Sequence, residues 1–228
     1  MRPAIGVIFD MDGVLVDSAD AHRRAWQHLG EEVGVPFTAD RFRQSFGQSN
    51  ASIIPAWLGR VSPDRVDALG ARKEVLYRQL ARAGRVGIYP RVPQVFTDLR
   101  NRGAGVAIAS SGPRENITLL VGVMGAGALV DAVVTADDVR RSKPDPEGFM
   151  LAARRLGVAA NACAVIEDSV HGIAAASAAG MLAVAVLTST DRDALLLAGA
   201  DSVIASVRDL DVEGLVTALR QRSSSQHS

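Results

Sequence analysis

The sequence predicts an α/β fold in which a parallel sheet, flanked by helices, carries an inserted helical domain. Short, continuous apolar runs recur along the chain, as is typical of parallel strands buried on both faces. From residue 106 onward these runs alternate with helical patterns, which indicates successive strand–helix–strand units. The first run ends at residue 9 and the second begins at residue 106, a gap far longer than a single connection requires.

The predicted strands are apolar and rich in β-branched residues, and the helical patterns between them place apolar side chains on one face. The strands are predicted at residues 5–9, 106–109, 132–135, 164–166, 183–187 and 203–205. The helices of the same region are predicted at residues 92–101, 114–124, 146–156, 170–179, 191–198 and 212–219.

The long gap after the first strand must contain a folded segment of its own. Its helical patterns cover residues 19–33, 39–46, 51–58 and 63–83, separated by Gly and Pro, and it contains no convincing strand. We therefore predict two domains. Residues 1–17 and 88–228 form the core domain, and residues 18–87 form an α-helical cap domain.

The composition and net charge of the chain limit the classes of molecule that it is expected to bind. The 25 basic residues balance the 25 acidic ones, so nothing favours nucleic acid or an anionic membrane, and a small molecule in a local pocket fits better. The lone cysteine, Cys163, excludes an internal disulfide and favours a reducing compartment. No apolar run approaches the roughly 18 residues of a membrane helix, and the first residues lack a signal-peptide pattern. We expect a cytoplasmic monomer.

Two aspartates, Asp10 and Asp12, directly follow the first predicted strand. Open parallel sheets bind ligands at the carboxyl ends of their strands, so both side chains lie where a ligand is expected. Asp10 could attack a phosphoryl group as a nucleophile, while Asp12 could protonate the leaving oxygen and later take a proton from water. The alternative is a turn in which the aspartates bond to backbone donors and Gly13 supplies a positive φ.

A second acidic pair, Glu167 and Asp168, follows the apolar run at residues 164–166. In a parallel sheet this pair can approach Asp10, and neighbouring carboxylates repel one another unless a cation lies among them. Mg²⁺ prefers oxygen ligands and would also reduce the repulsion between Asp10 and a phosphate dianion, so it is the natural occupant. Alternatively, Asp168 or Ser169 caps a helix that begins near residue 170.

Two further polar positions belong to the same pattern. Ser110 closes the run at residues 106–109, where its hydroxyl and the adjacent backbone N–H groups could hold phosphoryl oxygens, and we include Ser111 in the substrate-binding set. Lys143 could neutralise the same oxygens. Taken singly, Ser110 could be a helix cap and Lys143 a solvated loop residue. All four sites fall at predicted strand ends or in the following loops, which favours a shared function.

Taken in their order along the chain, which is Asp10-x-Asp12, Ser110, Lys143 and Glu167-Asp168, the motifs resemble those of the haloacid dehalogenase superfamily, in particular the subgroup of β-phosphoglucomutase and phosphoglycolate phosphatase. The similarity spans residues 4 to about 190. The resemblance implies a Rossmann-like sheet of order 5-4-1-2-3 and a Mg²⁺-dependent phosphoryl transfer. It assigns Asp10 as nucleophile, Asp12 as acid and base, Ser110 and Lys143 as phosphate-holding residues, and Asp10, Glu167, Asp168 and the Asp12 carbonyl as Mg²⁺ ligands.

Within the predicted cap, the resemblance extends to residues with which β-phosphoglucomutases contact their substrate. His22 and Lys73 match a histidine and a lysine of the mutase cap, and Gly47 and Asn50 lie in the segment that matches the mutase site for the distal phosphate. The resemblance therefore places all four in the substrate-binding set. His22 and Lys73 could alternatively be ordinary solvated residues.

Departures from the mutase pattern favour hydrolysis. Phe46 and Asn50 occupy the positions where mutases have a lysine and an arginine for the distal phosphate, and a charge-assisted bond contributes about 1.5–3 kcal/mol. Arg24 or Arg43 could substitute for them. We therefore expect a phosphatase that acts on a small phosphorylated metabolite through an aspartyl phosphate. The alternatives are a sugar phosphomutase and a non-catalytic binding protein on the same scaffold.

Overall fold

The structure is a computed structural model that describes residues 3–45 and 48–224. The described chain divides into two compact units. The chain up to Val16 and from Ile88 onward forms the first, which we call the core unit, and Asp17–Gly87 forms the second, which we call the helical unit. These bounds lie within one residue of the predicted domain limits, while the role of the helical unit as a cap stays a prediction.

The core unit contains a six-stranded parallel sheet of order β5-β4-β1-β6-β7-β8. The short strands β2 and β3 form a separate two-stranded sheet where the chain passes between the units. In chain order the strands are β1 (Ile5–Phe9), β2 (Val16–Asp17), β3 (Gly87–Ile88), β4 (Ala104–Ala109), β5 (Ala132–Val134), β6 (Cys163–Glu167), β7 (Leu182–Val186) and β8 (Ser202–Ile204).

The central strand of this sheet, β1, determines where the site lies. Phe9 pairs with Ile108 of β4 on one side and with Ile166 of β6 on the other. Because the three strands are parallel and in this register, the residues that follow them emerge together at the carboxyl ends of the strands. All five residues of β1 are buried, so the strand is fixed from both faces.

The fold class is therefore confirmed, and the predicted order of five strands is found with β8 added at the edge. The ends of the predicted sheet strands differ from the observed ones by no more than two residues. Strands β2 and β3 were not predicted from the sequence, because a two-residue strand has no apolar periodicity to detect.

Helices cover both faces of the sheet through apolar side chains at helical spacing. In α5, for example, Val92, Val95, Phe96 and Leu99 are all buried, and the Phe96 ring lies 5.0 Å from that of Phe9. The helices of the core unit are α5 (Val92–Asn101), α6 (Arg114–Val123), α7 (Glu147–Leu156), α8 (Val170–Ala178), α9 (Arg192–Leu197) and α10 (Val212–Ser224).

The helical unit has its own aromatic centre. Trp26 stacks on Phe37 at 4.8 Å, and Trp57 meets the Phe37 ring edge-on at 5.1 Å, so the unit has a hydrophobic core of its own. Ser62 caps the longest helix of this unit by accepting a hydrogen bond from the Arg65 backbone N–H. The helices are α1 (Ala19–Val33), α2 (Ala39–Ser45), α3 (Asn50–Leu58) and α4 (Pro63–Arg82).

The single cysteine, Cys163, begins β6 and is fully buried. Burial raises the pKa of its thiol to about 12. Among the described helices, none has both the length and the apolar character needed to cross a membrane.

Candidate active site

Three carboxylates converge where β1 and β6 end. Asp10, Glu167 and Asp168 are 7%, 1% and 5% exposed, and each offers a carboxylate oxygen within 4.8 Å of those of the other two. The Asp10 backbone N–H donates to the Ile166 carbonyl at 3.0 Å, which extends the pairing of the two strands to the nucleophile candidate itself. The structure thus brings together the two acidic pairs that the sequence places far apart.

Lys143 supplies the positive charge of this cluster. Its Nζ donates to Asp10 Oδ1 at 2.6 Å and to Glu167 Oε1 at 2.7 Å, and it lies 4.9 Å from the centre of the Phe149 ring. Glu147 holds the loop that carries Lys143, because its carboxylate accepts the Arg140 and Arg141 backbone N–H groups at 3.2 and 3.0 Å. Lys143 is therefore part of a buried ion cluster and not a solvated loop residue.

Glu167 lies over the first turn of α8. Its Oε2 accepts the backbone N–H groups of Asp168 and Ser169 at 2.5 and 2.6 Å, and its Oε1 accepts the Ser169 hydroxyl at 3.1 Å in addition to Lys143. The absence of a side chain at Gly172 makes this possible, because a Cβ there would overlap the Glu167 carboxylate. Four donors occupy the four lone-pair positions of the carboxylate, so Glu167 can bind an ion only by releasing one of them.

Asp168 is held from three directions. The Thr188 hydroxyl lies 3.1 Å from its Oδ2, the Ser189 hydroxyl donates to its backbone carbonyl at 2.9 Å, and Gly13 leaves the space that its carboxylate occupies. Thr188 and Ser189 were not predicted from the sequence. The signal that was available is that these hydroxyl residues follow the apolar strand β7, the neighbour of β6, after one intervening residue.

Asp12 lies in a tight turn at the end of β1 and is half-buried. The turn is closed by hydrogen bonds from Gly13 N to the Val16 carbonyl at 2.9 Å and from Leu15 N to the Met11 carbonyl at 2.9 Å. Gly13 has φ +79°, and a side chain there would also overlap Asp168. The backbone therefore forms the turn with Gly13 at positive φ that the alternative interpretation predicts. The Asp10 carboxylate, in contrast, accepts a hydrogen bond from Lys143.

The contacts of Ser110 and Ser169 can be compared with the alternative prediction that each caps a helix. The buried Ser110 hydroxyl accepts the Gly112 backbone N–H at 3.0 Å, so it organises the loop after β4, and the adjacent Ser111 is exposed. Ser169 is the N-cap of α8 and accepts the Gly172 N–H at 3.0 Å, which leaves Asp168 outside the cap. Whether Ser110 and Ser111 also hold phosphoryl oxygens stays a prediction.

Burial and mutual repulsion dominate the electrostatics of the cluster. Burial, partly offset by the Lys143 charge and reinforced by those of Glu167 and Asp12, raises the pKa of Asp10 to about 7. Burial together with the charges of Glu167 and Asp10 raises the pKa of Asp168 to about 8. Burial acts most strongly against ionisation of Glu167 too, but the Lys143 charge and the hydrogen bonds from Lys143, Ser169 and Asp168 together hold the pKa of Glu167 below its usual value.

A hard divalent cation fits this donor set. Burial acts to lower the pKa of Lys143, yet Asp10 and Glu167 raise it above its usual value, so this lysine stays charged and neutralises one carboxylate. The negative charges of Asp10 and Asp168 still repel each other when both groups are ionised, and a second cation would offset this repulsion. Carboxylate oxygens are the ligands that Mg²⁺ prefers. Asp10 and Asp168 are the residues best placed to hold the ion, with Glu167 available after release of a donor.

The residues predicted from the cap resemblance form a second buried cluster, inside the helical unit. Lys73, 3% exposed, lies 2.8 Å from His22 Nδ1 and donates to Glu74 Oε1 at 2.9 Å. Asn50 donates to the same Glu74 oxygen at 2.8 Å, and His22 stacks on Tyr77 at 4.0 Å. Glu74 was not predicted from the sequence as a member of this cluster. The prediction for Gly47 falls outside the described residues, and the substrate-binding role of the others stays a prediction.

Comparison with known proteins identifies the family of the chain. The family model described as haloacid dehalogenase-like hydrolase matches residues 6–180. The chain is 34% identical, over 92% of its length, to the chloroplastic protein SUPPRESSOR OF QUENCHING 1 of Arabidopsis thaliana, of which it spans only 20%.

Two bacterial relatives are matched over most of their length. The chain is 31% identical, over 82% of its length, to the validoxylamine A 7'-phosphate phosphatase of Streptomyces hygroscopicus subsp. limoneus, of which it covers 88%. It is 29% identical, over 91% of its length, to the β-phosphoglucomutase of Bacillus subtilis, of which it covers 92%. The match to the family model over residues 6–180, together with the phosphatase relative, shows that the chain is an enzyme of the haloacid dehalogenase-like hydrolase family.

Proposed function

We propose that this enzyme is a Mg²⁺-dependent phosphatase that hydrolyses a small phosphorylated metabolite through an aspartyl phosphate on Asp10. The observation that carries the proposal is the position of Asp10: it is buried, bonded to Lys143 at 2.6 Å, and close enough to Asp168 to share an ion. A carboxylate held among a lysine and further acidic groups is suited to attack a phosphoryl group whose charge the cations offset.

The reaction has two steps. In the first, an Asp10 oxygen bonds to phosphorus while the bond between phosphorus and the leaving oxygen breaks, and Asp12 gives that oxygen a proton. In the second, Asp12 takes a proton from water as the water oxygen attacks phosphorus. The bond between Asp10 and phosphorus then breaks, inorganic phosphate leaves, and Asp12 has regained its proton.

The remaining residues hold the phosphoryl group. Lys143 supplies a positive charge next to Asp10, and Ser110 with Ser111 supplies hydroxyl and backbone donors at the end of β4. Asp10, Asp168 and the Asp12 carbonyl, with Glu167 after release of a donor, would hold Mg²⁺, which would supply charge neutralisation and Lewis acidity at the phosphoryl oxygens. His22, Lys73, Gly47 and Asn50 are proposed to contact the rest of the substrate.

A sugar phosphomutase is the second candidate, because the chain covers 92% of a β-phosphoglucomutase at 29% identity. Retaining a bisphosphate requires cationic contacts to its distal phosphate. Asn50 is neutral and donates to Glu74, while Arg24 is paired with Asp20 at 2.6 Å and Arg43 with Asp40, each within its own helix. These contacts favour hydrolysis, as does the phosphatase relative.

A phosphate-release screen tests the proposal. The protein is incubated with sugar phosphates, phosphoglycolate and nucleotides, with Mg²⁺ and with EDTA, and we expect Mg²⁺-dependent release from a subset. Asp10→Asn should abolish release while its circular dichroism spectrum is unchanged. Retained activity in that variant contradicts the proposed nucleophile, and conversion of β-glucose 1-phosphate to glucose 6-phosphate without free phosphate favours the mutase.

We also propose that the enzyme acts as a cytoplasmic monomer on a small molecule, without nucleic-acid or membrane partners. The balanced charge and the buried single thiol support this. Light scattering after size-exclusion chromatography should give the mass of one chain, and a dimer mass contradicts the proposed state.

A further inference from the structure

We propose that Thr188 is a positioning residue that fixes the Asp168 carboxylate and the backbone after Asp12 for Mg²⁺ binding. This inference rests on the proposed function, because it concerns the ion that the proposed reaction uses. Thr188 belongs to none of the four motifs that the sequence displays. It enters the site from β7, a strand that carries no acidic motif of its own.

The Thr188 hydroxyl connects two loops of the core unit. Its Oγ1 donates to the Gly13 carbonyl at 2.6 Å and lies 3.1 Å from Asp168 Oδ2. These contacts span 175 and 20 positions of the chain respectively. The topology explains them: β7 is the parallel neighbour of β6, so the loop after β7 emerges beside Asp168 at the same edge of the sheet.

This hydroxyl limits the rotation of the Asp168 carboxylate. On one side Gly13 leaves just enough room for the carboxylate, and the Ser189 hydroxyl fixes the Asp168 backbone at 2.9 Å. Thr188 contacts an oxygen of the carboxylate itself, at 3.1 Å, in addition to the hydrogen bonding that Ser189 supplies. By holding the Gly13 carbonyl as well, it fixes the turn that contains Asp12, whose own carbonyl is proposed as an ion ligand.

Groups that orient metal ligands typically change metal affinity or activity by about 10–100-fold when removed. Thr188 is exposed, whereas Asp168 is buried, so replacing its hydroxyl by a methyl group leaves no cavity in the core. Thr188→Val should therefore weaken Mg²⁺ binding by at least about 10-fold. Thr188→Ser keeps the hydroxyl and should bind Mg²⁺ with close to wild-type affinity.

The test is isothermal titration of Mg²⁺ into the full chain, with phosphate release measured over a range of Mg²⁺ concentrations. Thr97→Val is the matched control, since it removes a hydroxyl that donates to the Pro93 carbonyl at 2.9 Å on α5. We expect weaker Mg²⁺ binding for Thr188→Val alone, with turnover recovering at high Mg²⁺. Thr188→Ala removes the same hydroxyl and replaces Thr188→Val if the latter does not fold.

The outcomes separate this inference from the proposed function. If the wild type binds Mg²⁺ and Thr188→Val binds it equally well, the positioning role is wrong and the proposed function stands. If Thr188→Val and Thr97→Val lower stability alike without changing Mg²⁺ affinity, Thr188 has a structural role only. If the wild-type chain releases phosphate but binds no Mg²⁺, the proposed Mg²⁺ dependence is wrong, and so is the positioning role of Thr188.

Discussion

The Lys143 ammonium group donates a 2.6 Å hydrogen bond to Asp10, a residue 133 positions away in the chain. The same group donates to Glu167 at 2.7 Å, so one lysine forms hydrogen bonds with two buried carboxylates. The first contact is with the proposed nucleophile and the second with a carboxylate fixed to the start of α8. Lys143 therefore contributes both to the stability of the core unit and to its chemistry.

Replacing Lys143 by Met should lower both stability and activity. Without the lysine, Asp10 and Glu167 lose their cation, and breaking a buried ion pair costs about 3–5 kcal/mol. We expect this loss in urea unfolding without Mg²⁺, and a fall in kcat on the order of 10²–10³ with Mg²⁺, as for removal of one charge-stabilising donor. Lys143→Arg keeps the charge and should recover stability more than activity. Wild-type unfolding and turnover in Lys143→Met contradict both roles.

Gly172→Ala should destabilise the protein although alanine is the better helix former. The added Cβ would overlap the Glu167 carboxylate, and overpacking of this kind costs about 1–3 kcal/mol. Displacement of Glu167 should also loosen Lys143 and lower kcat. The matched control is Gly122→Ala in α6, where a Cβ meets nothing within 4 Å. That variant should gain up to about 1 kcal/mol in urea unfolding, and equal behaviour of the two variants contradicts the prediction.

Asp138 should make stability depend on pH at acidic values. Hydrogen bonds from Arg155, and then from Thr135 and Arg114, hold the pKa of Asp138 well below its ordinary value of 3.8. As pH falls through about 4, the unfolded chain takes up a proton that the folded chain does not, so the stabilising contribution present at neutral pH is lost.

The measurement is the difference in unfolding free energy between the wild type and Asp138→Asn at several pH values. We expect the wild type to be the more stable at pH 7 and 5, and the difference to shrink as the pH is lowered below about 4. Asp193→Asn, an exposed position on α9, controls for the loss of one negative charge. A difference that is independent of pH would show that Asp138 acts by packing alone.

Lys73 and Glu74 provide a test of the predicted substrate site in the helical unit. Burial acts most strongly to raise the pKa of Glu74, but the charges of Lys73 and His22 and the hydrogen bonds from Asn50 and Lys73 together lower this pKa, and Lys73 lies 2.9 Å from the Glu74 carboxylate. Glu74→Gln leaves Lys73 buried without its carboxylate and should cost about 3 kcal/mol. Adding Lys73→Met should restore much of the stability, as measured by a double-mutant cycle in urea.

Activity of the double variant then separates two roles for Lys73. If the lysine contacts substrate, as predicted, the variant with both substitutions should unfold nearly as the wild type does and still fail to release phosphate. If it releases phosphate at the wild-type rate, Lys73 serves only the packing of the helical unit.

The site residues that could be predicted are those that directly follow an apolar strand pattern in the sequence. Asp10 and Asp168 each follow an apolar run, and parallel strands bring their carboxyl ends to one edge, so pattern and topology together predict their approach. The strand order was available from the resemblance alone. The helices of the helical unit were predictable because caps and breakers such as Ser62 and Gly59 mark their ends.

The parts that could not be predicted depend on single atoms of residues without a motif. Thr188 contributes a single hydroxyl, whose hydrogen-bond partner Gly13 lies 175 positions away in the chain. Gly172 contributes only the space left by its missing Cβ, which the Glu167 carboxylate occupies. Glu74 was missed because adjacent helix residues normally do not face each other, and only its burial beside Lys73 brings the two charges together.

The buried thiol of Cys163 makes the chain convenient for spectroscopy. A thiol that is both inaccessible and protonated at neutral pH reacts slowly with maleimides, so the native protein is nearly silent to such dyes. A cysteine introduced at an exposed position in each unit would then accept a fluorophore selectively, without prior removal of the natural one. Dyes attached in this way would report on each unit separately, without interference from the natural thiol.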